Sequence, residues 1–287
     1  IYTNREDLQS AWWITQYTTT IKTVVDIINQ LEAEGNVGTE MGIARMWKVF
    51  IFHVLVDQYG DTPYFQAGRG FLDGVVRPVY DDDQVIYMDM LNELEQAVAQ
   101  IGGSSTLGSS DLVFNGDTNK WKKFGNSLML RLAMRIKNVD PTGSNTWAQK
   151  AIDGGTMSSN EDTAFMTHTD GPTDLNRNAW GTYQPRYSFA RIGATLYDWL
   201  ESNGDPRLNI LADPNGPAAG NRYGLENDQL LAIYGESPES YARVNSAITQ
   251  LNSPWIFLSY AQTALLEAEL AAAAGDHTSA EAKYNSG

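Results

Sequence analysis

Apolar residues recur at helical spacing along most of the chain, and most of the runs end on Gly, Pro, Asn or Asp. Asp7–Glu34 places Leu8, Trp12, Ile21, Val24, Val25, Ile28 and Leu31 on one face and closes at Gly35-Asn36, which predicts a helix. A second helix is expected over Thr39–Tyr59, with Thr39 as its cap and Gly60 as its stop. Its stripe of Trp47, Phe50, Ile51, Val54 and Leu55 runs into the turn Asp61-Thr62-Pro63, followed at once by Tyr64 and Phe65. Gln84–Ile101 repeats the pattern with Ile86, Met90, Leu91, Leu94, Val98 and Ile101. Asn119–Lys137 does so with Trp121, Phe124, Leu128, Leu132 and Ile136, capped by Asp117 or Thr118 and ended by Pro141-Thr142-Gly143. Shorter helices are expected at Thr146–Ile152 and Ser188–Asn203, the latter burying Ile192, Leu196 and Leu200. A long helix is expected at Pro254–Ala274. Gly275-Asp276 and the pair Ala280, Tyr284 then predict a further helix, the joint of a tetratricopeptide-type pair.

Between these runs lie Gly68–Pro78, the Gly/Ser-rich connector Gly102–Asn115, and the irregular stretches Ser158–Arg186 and Asp213–Tyr234. Strand signals are confined to Leu72–Val79 and Ala164–Thr169. No strict 34-residue period runs through the chain. The expected fold is therefore all-α: an irregular superhelix of tetratricopeptide-like helix pairs with long irregular loops and few short strands, in a single domain over residues 1–287.

Composition narrows the function classes. With 42% hydrophobic and 19% charged residues, the 287-residue chain has the balance of a folded protein. Its formal net charge of −15 argues against nucleic acid, which needs a basic face, and against an anionic bilayer surface. There is no cysteine, so disulfides and thiolate metal sites are excluded. No apolar run approaches the roughly 20 residues that span a bilayer; the longest, Val49–Val56, contains His53. A start at Ile1 and a stop at Gly287 predict further sequence on both sides.

Two stretches carry a resemblance. ARMWKVFIFHVLVDQYGDTPYFQA (Ala44–Ala67) resembles the helix and YGD-x-PY turn of SusD/RagB-like proteins, and WKKFGNSLMLRLAMRIKNVDP (Trp121–Pro141) resembles their second signature helix. TLYDWLESNGDPRL (Thr195–Leu208) and the pair within Phe257–Tyr284 follow in the family's order, so the similarity covers nearly the whole chain and points to the SusD-like, starch-binding associated branch. It implies a cell-surface, lipid-anchored outer-membrane protein of Bacteroidetes-type bacteria. Such a protein works as a lid on a SusC-like TonB-dependent transporter and captures an oligosaccharide or other nutrient. The lipid-bearing cysteine would lie upstream of Ile1, and the family's late segment beyond Gly287. No cofactor is implied.

The candidate chemistry has a bland reading beside each sharp one. Asp57 and Asp61, or Glu161 and Asp162, are the pairs an all-helical glycosidase would use, whereas turn-holding is the plainer role. Asp81-Asp82-Asp83 invites calcium but lacks the alternating spacing of a calcium loop and fits helix capping better. His53, His168 and His277 are too scattered for zinc, and His53 reads as a hydrogen-bonded core residue. Trp12, Trp47, Trp121 and Trp255 read as core. Trp180, Tyr183 and Tyr187 differ, because they sit in the irregular segment NRNAWGTYQPRY among Arg177, Asn178, Gln184 and Arg186. Flat rings cover the apolar faces of sugars while amide and guanidinium groups bond the hydroxyls; the same rings would equally pin the loop to the helices. The candidate ligand-binding set is Arg177, Asn178, Trp180, Tyr183, Tyr187 and Tyr64, although a turn-signature residue such as Tyr64 also serves the fold. The leading function is a non-catalytic nutrient binder. A helical glycoside hydrolase and an intracellular tetratricopeptide scaffold for peptides are the alternatives; the second would need the 34-residue period that is missing.

Overall fold

A computed structural model describes residues 6–183, 190–223 and 227–287. The chain divides into two compact units, a larger one formed by Arg5–Phe165 with Ile256–Gly287 and a smaller one formed by Met166–Trp255. In chain order the elements are α1 (Glu6–Thr15), a π-helical segment (Gln16–Ile21), α2 (Lys22–Ala33), α3 (Thr39–Tyr59), α4 (Gly70–Asp73), α5 (Asp83–Gln100), α6 (Thr118–Arg135) and α7 (Pro141–Asp153). Then come β1 (Ala164–Met166), α8 (Ala179–Tyr183), α9 (Ala194–Ser202), α10 (Leu208–Leu211), α11 (Asn227–Tyr234), β2 (Trp255–Leu258), α12 (Tyr260–Ala273) and α13 (His277–Ser286). β1 and β2 pair as a two-stranded sheet, and the rest of the described residues are helix and irregular chain, an all-α architecture.

In the larger unit successive helices pack on one another: α2 on α3, α3 on α5, α5 on α6, α6 on α7 and α12 on α13. Two glycines set how closely they approach. A Cβ on Gly42 of α3 would lie 2.6 Å from the carbonyl oxygen of Ala97 on α5. One on Gly125 of α6 would lie 2.6 Å from Val98 Cγ2 and 2.7 Å from Met46 Cε. Into this seam pack Met46, Val49, Phe52, Leu94, Trp121, Phe124 and Leu128, all buried. Trp47 meets Trp121, Phe50 and Phe257 edge-on, with ring centroids 6.0, 5.5 and 4.9 Å apart.

The Gly60–Tyr64 turn is held by the aspartates that follow it. Gly60 ends α3 at φ +71°, a region open to glycine. Thr62 and Asp81 exchange backbone hydrogen bonds, and Asp81 Oδ2 accepts from the N–H groups of Tyr64 and Phe65 at 2.8 and 3.0 Å. Asp61 Oδ1 accepts from the N–H of Asp83, and Asp82 caps α5 through the N–H groups of Gln84 and Val85. Capping and turn-holding are therefore what these carboxylates do.

Several expectations are corrected. The first helix passes through a π-helical turn, which leaves Trp12 half-exposed while Ile21 and Val24 are buried. The Leu72–Val79 strand is absent: α4 occupies its start. The Gly102–Asn115 connector is tied down by buried Asp111, whose carboxylate accepts from the N–H groups of Val113, Phe114 and Gly116 and from Trp121 Nε1 at 2.8 Å. Pro141 opens α7 rather than only ending α6, because proline suits the first helical turn and Asp140 caps it through Gly143. Leu196 faces solvent, and Tyr197 is buried with Ile192 and Leu200 instead. The Asp213–Tyr234 stretch contains α11. Ser259 caps α12 and so splits Pro254–Ala274 into β2 and a helix, leaving Trp255 half-exposed.

His53 is buried, as its place on an apolar helix suggests. Its Nδ1 donates to the Phe50 carbonyl at 2.6 Å, and its Nε2 takes an N–H of Arg131 at 3.3 Å, since a guanidinium can only donate. Arg131 also donates to the Phe257 carbonyl and to Gln262, which ties α6 to β2 and α12. Burial, then the Arg131 charge, pushes the His53 pKa down to about 4; burial pushes Arg131 down to about 10, still charged at neutral pH.

Two predictions follow from this packing. Gly42→Ala meets a backbone oxygen that cannot yield and should lower the stability of the protein by about 1–3 kcal/mol. Gly125→Ala meets the movable ends of Met46 and Val98 and should lose less; urea-unfolding midpoints that rank the two the other way would contradict this account. Between pH 6.5 and 4 the unfolded chain takes up a proton at His53 that the folded chain refuses. Stability is therefore full above pH 6.5 and falls by up to roughly 3 kcal/mol as pH drops to 4. In His53→Gln, unfolding free energy measured across that window should fall less steeply than in the wild type.

Candidate functional site

The segment that sequence singled out lies in the smaller unit and is firmly anchored. Asn178 is almost fully buried: its N–H donates to the Leu251 carbonyl at 2.7 Å, its Nδ2 donates to the Ser253 carbonyl at 3.1 Å, and its Oδ1 accepts from the N–H of Trp180 at 2.9 Å. This amide starts α8 and holds it on the 250–253 turn, so it has little left for a ligand. Gly181 lies against that turn, where a Cβ would come within 2.6 Å of the Gln250 carbonyl carbon. Arg177 Nε donates to the Gly171 carbonyl at 2.8 Å and braces the same loop. The rings on the other side of this short helix stand out: Trp180 is 63% exposed and Tyr183 50%. Arg177, Asn178, Trp180 and Tyr183 are thus brought together as two bracing residues and two presented rings. Tyr187, with Gln184 and Arg186, lies outside the described residues.

Tyr64 belongs to the larger unit. It is 2% exposed, its ring packs on Phe52 at 4.7 Å, and its hydroxyl donates to Asp89 at 2.7 Å. Its role is that of a core residue, with almost no ring face to offer a ligand.

A second feature of the smaller unit was not foreseen. Extended segments lace together around α9: Ile192 donates to the Ala242 carbonyl, Ala194 to Asn221, Asn221 to Ile192, and Ala242 to Ala219. Arg191, its side chain almost fully buried, donates to the Pro238 carbonyl and to Glu239. Gly220 lies so close to α9 that a Cβ would sit 2.4 Å from Ala194 Cα. Beside this lacing lies an open cavity of about 450 Å³ bordered by Tyr197, Tyr223 and Tyr241 and by Asp198, Glu201, Arg222 and Glu236. Tyr223 stacks on Tyr234 of α11 at 4.0 Å and meets Tyr241 edge-on at 6.5 Å. Its volume is in the range of small-ligand pockets. A sequence signal existed in Gly220-Asn221-Arg222-Tyr223, but Tyr197 and Tyr241 are 44 positions apart and no local pattern joins them.

Of the four carboxylates considered for catalysis, three have structural partners, whereas Glu161 is exposed and, among the described residues, bonded only through its backbone carbonyl, to Lys120. Asp57 accepts from the Tyr87 hydroxyl and pairs with Arg135. Asp61 holds Asp83, as described above. Asp162 pairs with Lys123 at 2.8 Å and accepts from Ser158. Among the described residues no group of three or more His, Asp or Glu side chains could hold a metal ion, and no helix is long and apolar enough to cross a membrane.

Comparison with known proteins agrees with this architecture. The family model described as SusD-like, starch-binding associating with outer membrane, matches residues 1–287, and the chain belongs to that family. A solved structure named as a chitin-binding protein superposes with a TM-score of 0.84 at 28% identity, over 99% of this chain and 64% of that one. A chitin-binding SusD homologue from Flavobacterium johnsoniae matches with a TM-score of 0.78 at 25% identity, over 96% and 56%. A SusD-like protein from Bacteroides thetaiotaomicron matches with a TM-score of 0.77 at 25% identity, over 96% and 55%. The chain spans less than two thirds of the length of these relatives. No curated protein sequence matches it.

Proposed function

We propose that this chain is a non-catalytic glycan-binding protein of the outer-membrane surface. It would be held there by a lipid anchor, and it would capture an oligosaccharide and pass it to a SusC-like TonB-dependent transporter. The observation that carries the reading is the anchored helix α8, which presents Trp180 and Tyr183 to solvent while buried Asn178 fixes its start. An exposed indole on a fixed backbone is a stacking surface with little ordering cost on binding. Membership of a family described as starch-binding supports a glycan ligand, and two of the similar structures are named as chitin-binding. The engagement of Asp57, Asp61 and Asp162 in structural contacts favours binding over hydrolysis. Binding needs only a few rings and hydrogen bonds of modest strength, which leaves room for release to the transporter.

The test is calorimetric titration of wild type and Trp180→Ala with starch-type and chitin-type oligosaccharides. Loss of one stacked ring should weaken the preferred glycan about tenfold, with unchanged thermal stability, since the indole is exposed. Undiminished binding in the variant would remove α8 from the site. Release of reducing ends by the wild-type protein would overturn the non-catalytic reading.

A further inference from the structure

The tyrosine-walled cavity of the smaller unit holds polar groups that the fold does not use. Tyr197 and Tyr241 are 5% and 7% exposed, both border the cavity, and neither hydroxyl has a hydrogen-bond partner among the described residues. Their rings are packed while the hydroxyls keep some contact with solvent at the cavity, so each is a donor and acceptor open to a ligand. Burial, with Glu201 and Asp198 nearby, holds the Tyr197 phenol above its ordinary range, so it keeps its proton and can donate. On the same wall Glu201 and Glu236 have no side-chain partner among the described residues, and the guanidinium of Arg222 is engaged with Asp198 at 3.4 Å. Three carboxylates therefore face one cation across three phenol rings. The larger unit's acids are used differently: Asp57, Asp81, Asp82, Asp111 and Asp162 are each bound to a named donor.

We propose that this cavity is a subsite for a cationic amino sugar, a 2-amino-2-deoxyhexose unit with a free ammonium group. The ammonium would sit against Glu201 and Glu236, the sugar face against the Tyr223 ring, and the sugar hydroxyls against the Tyr197 and Tyr241 hydroxyls. Rings attract an ammonium as well as a sugar face, and unpaired carboxylates supply a specific reward for its charge. A uronic acid would meet like charge, and N-acetylation would remove the cation while adding bulk. The inference rests on the glycan-binding reading above and names the chemical class the site selects.

The experiment titrates the protein with three trisaccharides, the β-1,4-linked glucosamine trimer, its fully N-acetylated counterpart and trigalacturonate, slightly below neutral pH and at physiological salt. The glucosamine trimer should bind at least tenfold tighter than the N-acetylated one, with no measurable binding of trigalacturonate. Glu201→Gln/Glu236→Gln should weaken the glucosamine trimer tenfold or more and leave the N-acetylated trimer within twofold. Arg222→Gln should tighten the glucosamine trimer severalfold, a gain that a merely damaged fold could not produce. Glu95→Gln removes one exposed acid of the larger unit and should change nothing, which separates the site from the protein's overall charge of −15. Equal affinity for the glucosamine and N-acetylated trimers, or equal loss of both in the double variant, overturns the subsite and leaves the general glycan reading standing. Absence of binding to any neutral or charged glycan overturns both.

Discussion

The larger unit depends on how closely α3, α5 and α6 can approach. Gly42 brings the α3 backbone against the Ala97 carbonyl, and Gly125 brings α6 against Val98 and Met46. Only at that separation do the rings of Trp47, Phe50 and Phe257 meet edge to face, with Phe124 tilted against them, rather than stand off with voids between them. The same seam decides how His53 and Arg131 are treated. A buried guanidinium is tolerable when most of its N–H groups find acceptors, and here a neutral imidazole, the Phe257 carbonyl and Gln262 serve the two terminal nitrogens, while Nε has no partner among the described residues. The imidazole can accept only while unprotonated, so close packing, a buried arginine and a depressed histidine are one arrangement.

Carboxylates show a second division of labour. The excess of acid in this chain looks like surface charge when counted, but in the larger unit much of it organises backbone. Asp81, Asp82, Asp111 and Asp117 each accept from main-chain N–H groups at turns and helix starts, where orphan donors need partners. Such carboxylates are poor candidates for acid–base chemistry, because moving a proton onto one would cost several hydrogen bonds at once. Among the described residues Glu201 and Glu236 have no such duties.

Long periodic runs made the larger unit legible in sequence. α3 begins and ends where the apolar stripe and Gly60 place it, and the apolar faces of α5 and α6 are buried nearly as read. Errors arose where a side chain overrode the local pattern. Asp111 converts a Gly/Ser stretch into a fixed loop through four donors spread over ten residues, and Ser259 cuts an apolar run that otherwise reads as one helix. At α8 the composition drew attention to the segment, yet could not separate its parts. Trp180 and Asn178 are two positions apart with opposite fates, because the 250–253 turn that buries Asn178 is over seventy residues away. The tyrosine cavity lay beyond reach for the same reason: Tyr197, Tyr223 and Tyr241 meet only after segments 192–194, 219–221 and 242 have paired.

That pairing also bears on why the cavity exists. Ile192, Tyr197, Ala212 and Ala242 form a small cluster, and a cluster of that size stabilises the smaller unit only modestly. A unit with so little core gains by satisfying every polar group it buries. Among the described residues the Tyr197 and Tyr241 hydroxyls and the Glu201 and Glu236 carboxylates have no protein partner and are left to the solvent of the cavity. Replacing Tyr197 or Tyr241 by phenylalanine would keep the packing and break no bond among the described residues, so folding alone gives no reason for the hydroxyls to be there. The fold loses nothing by their removal, whereas a hydroxyl-rich ligand would find in them donors and acceptors already fixed in place. The cavity wall, where hydroxyls and carboxylates are kept free of other duties among the described residues, is therefore where the specificity of this unit resides.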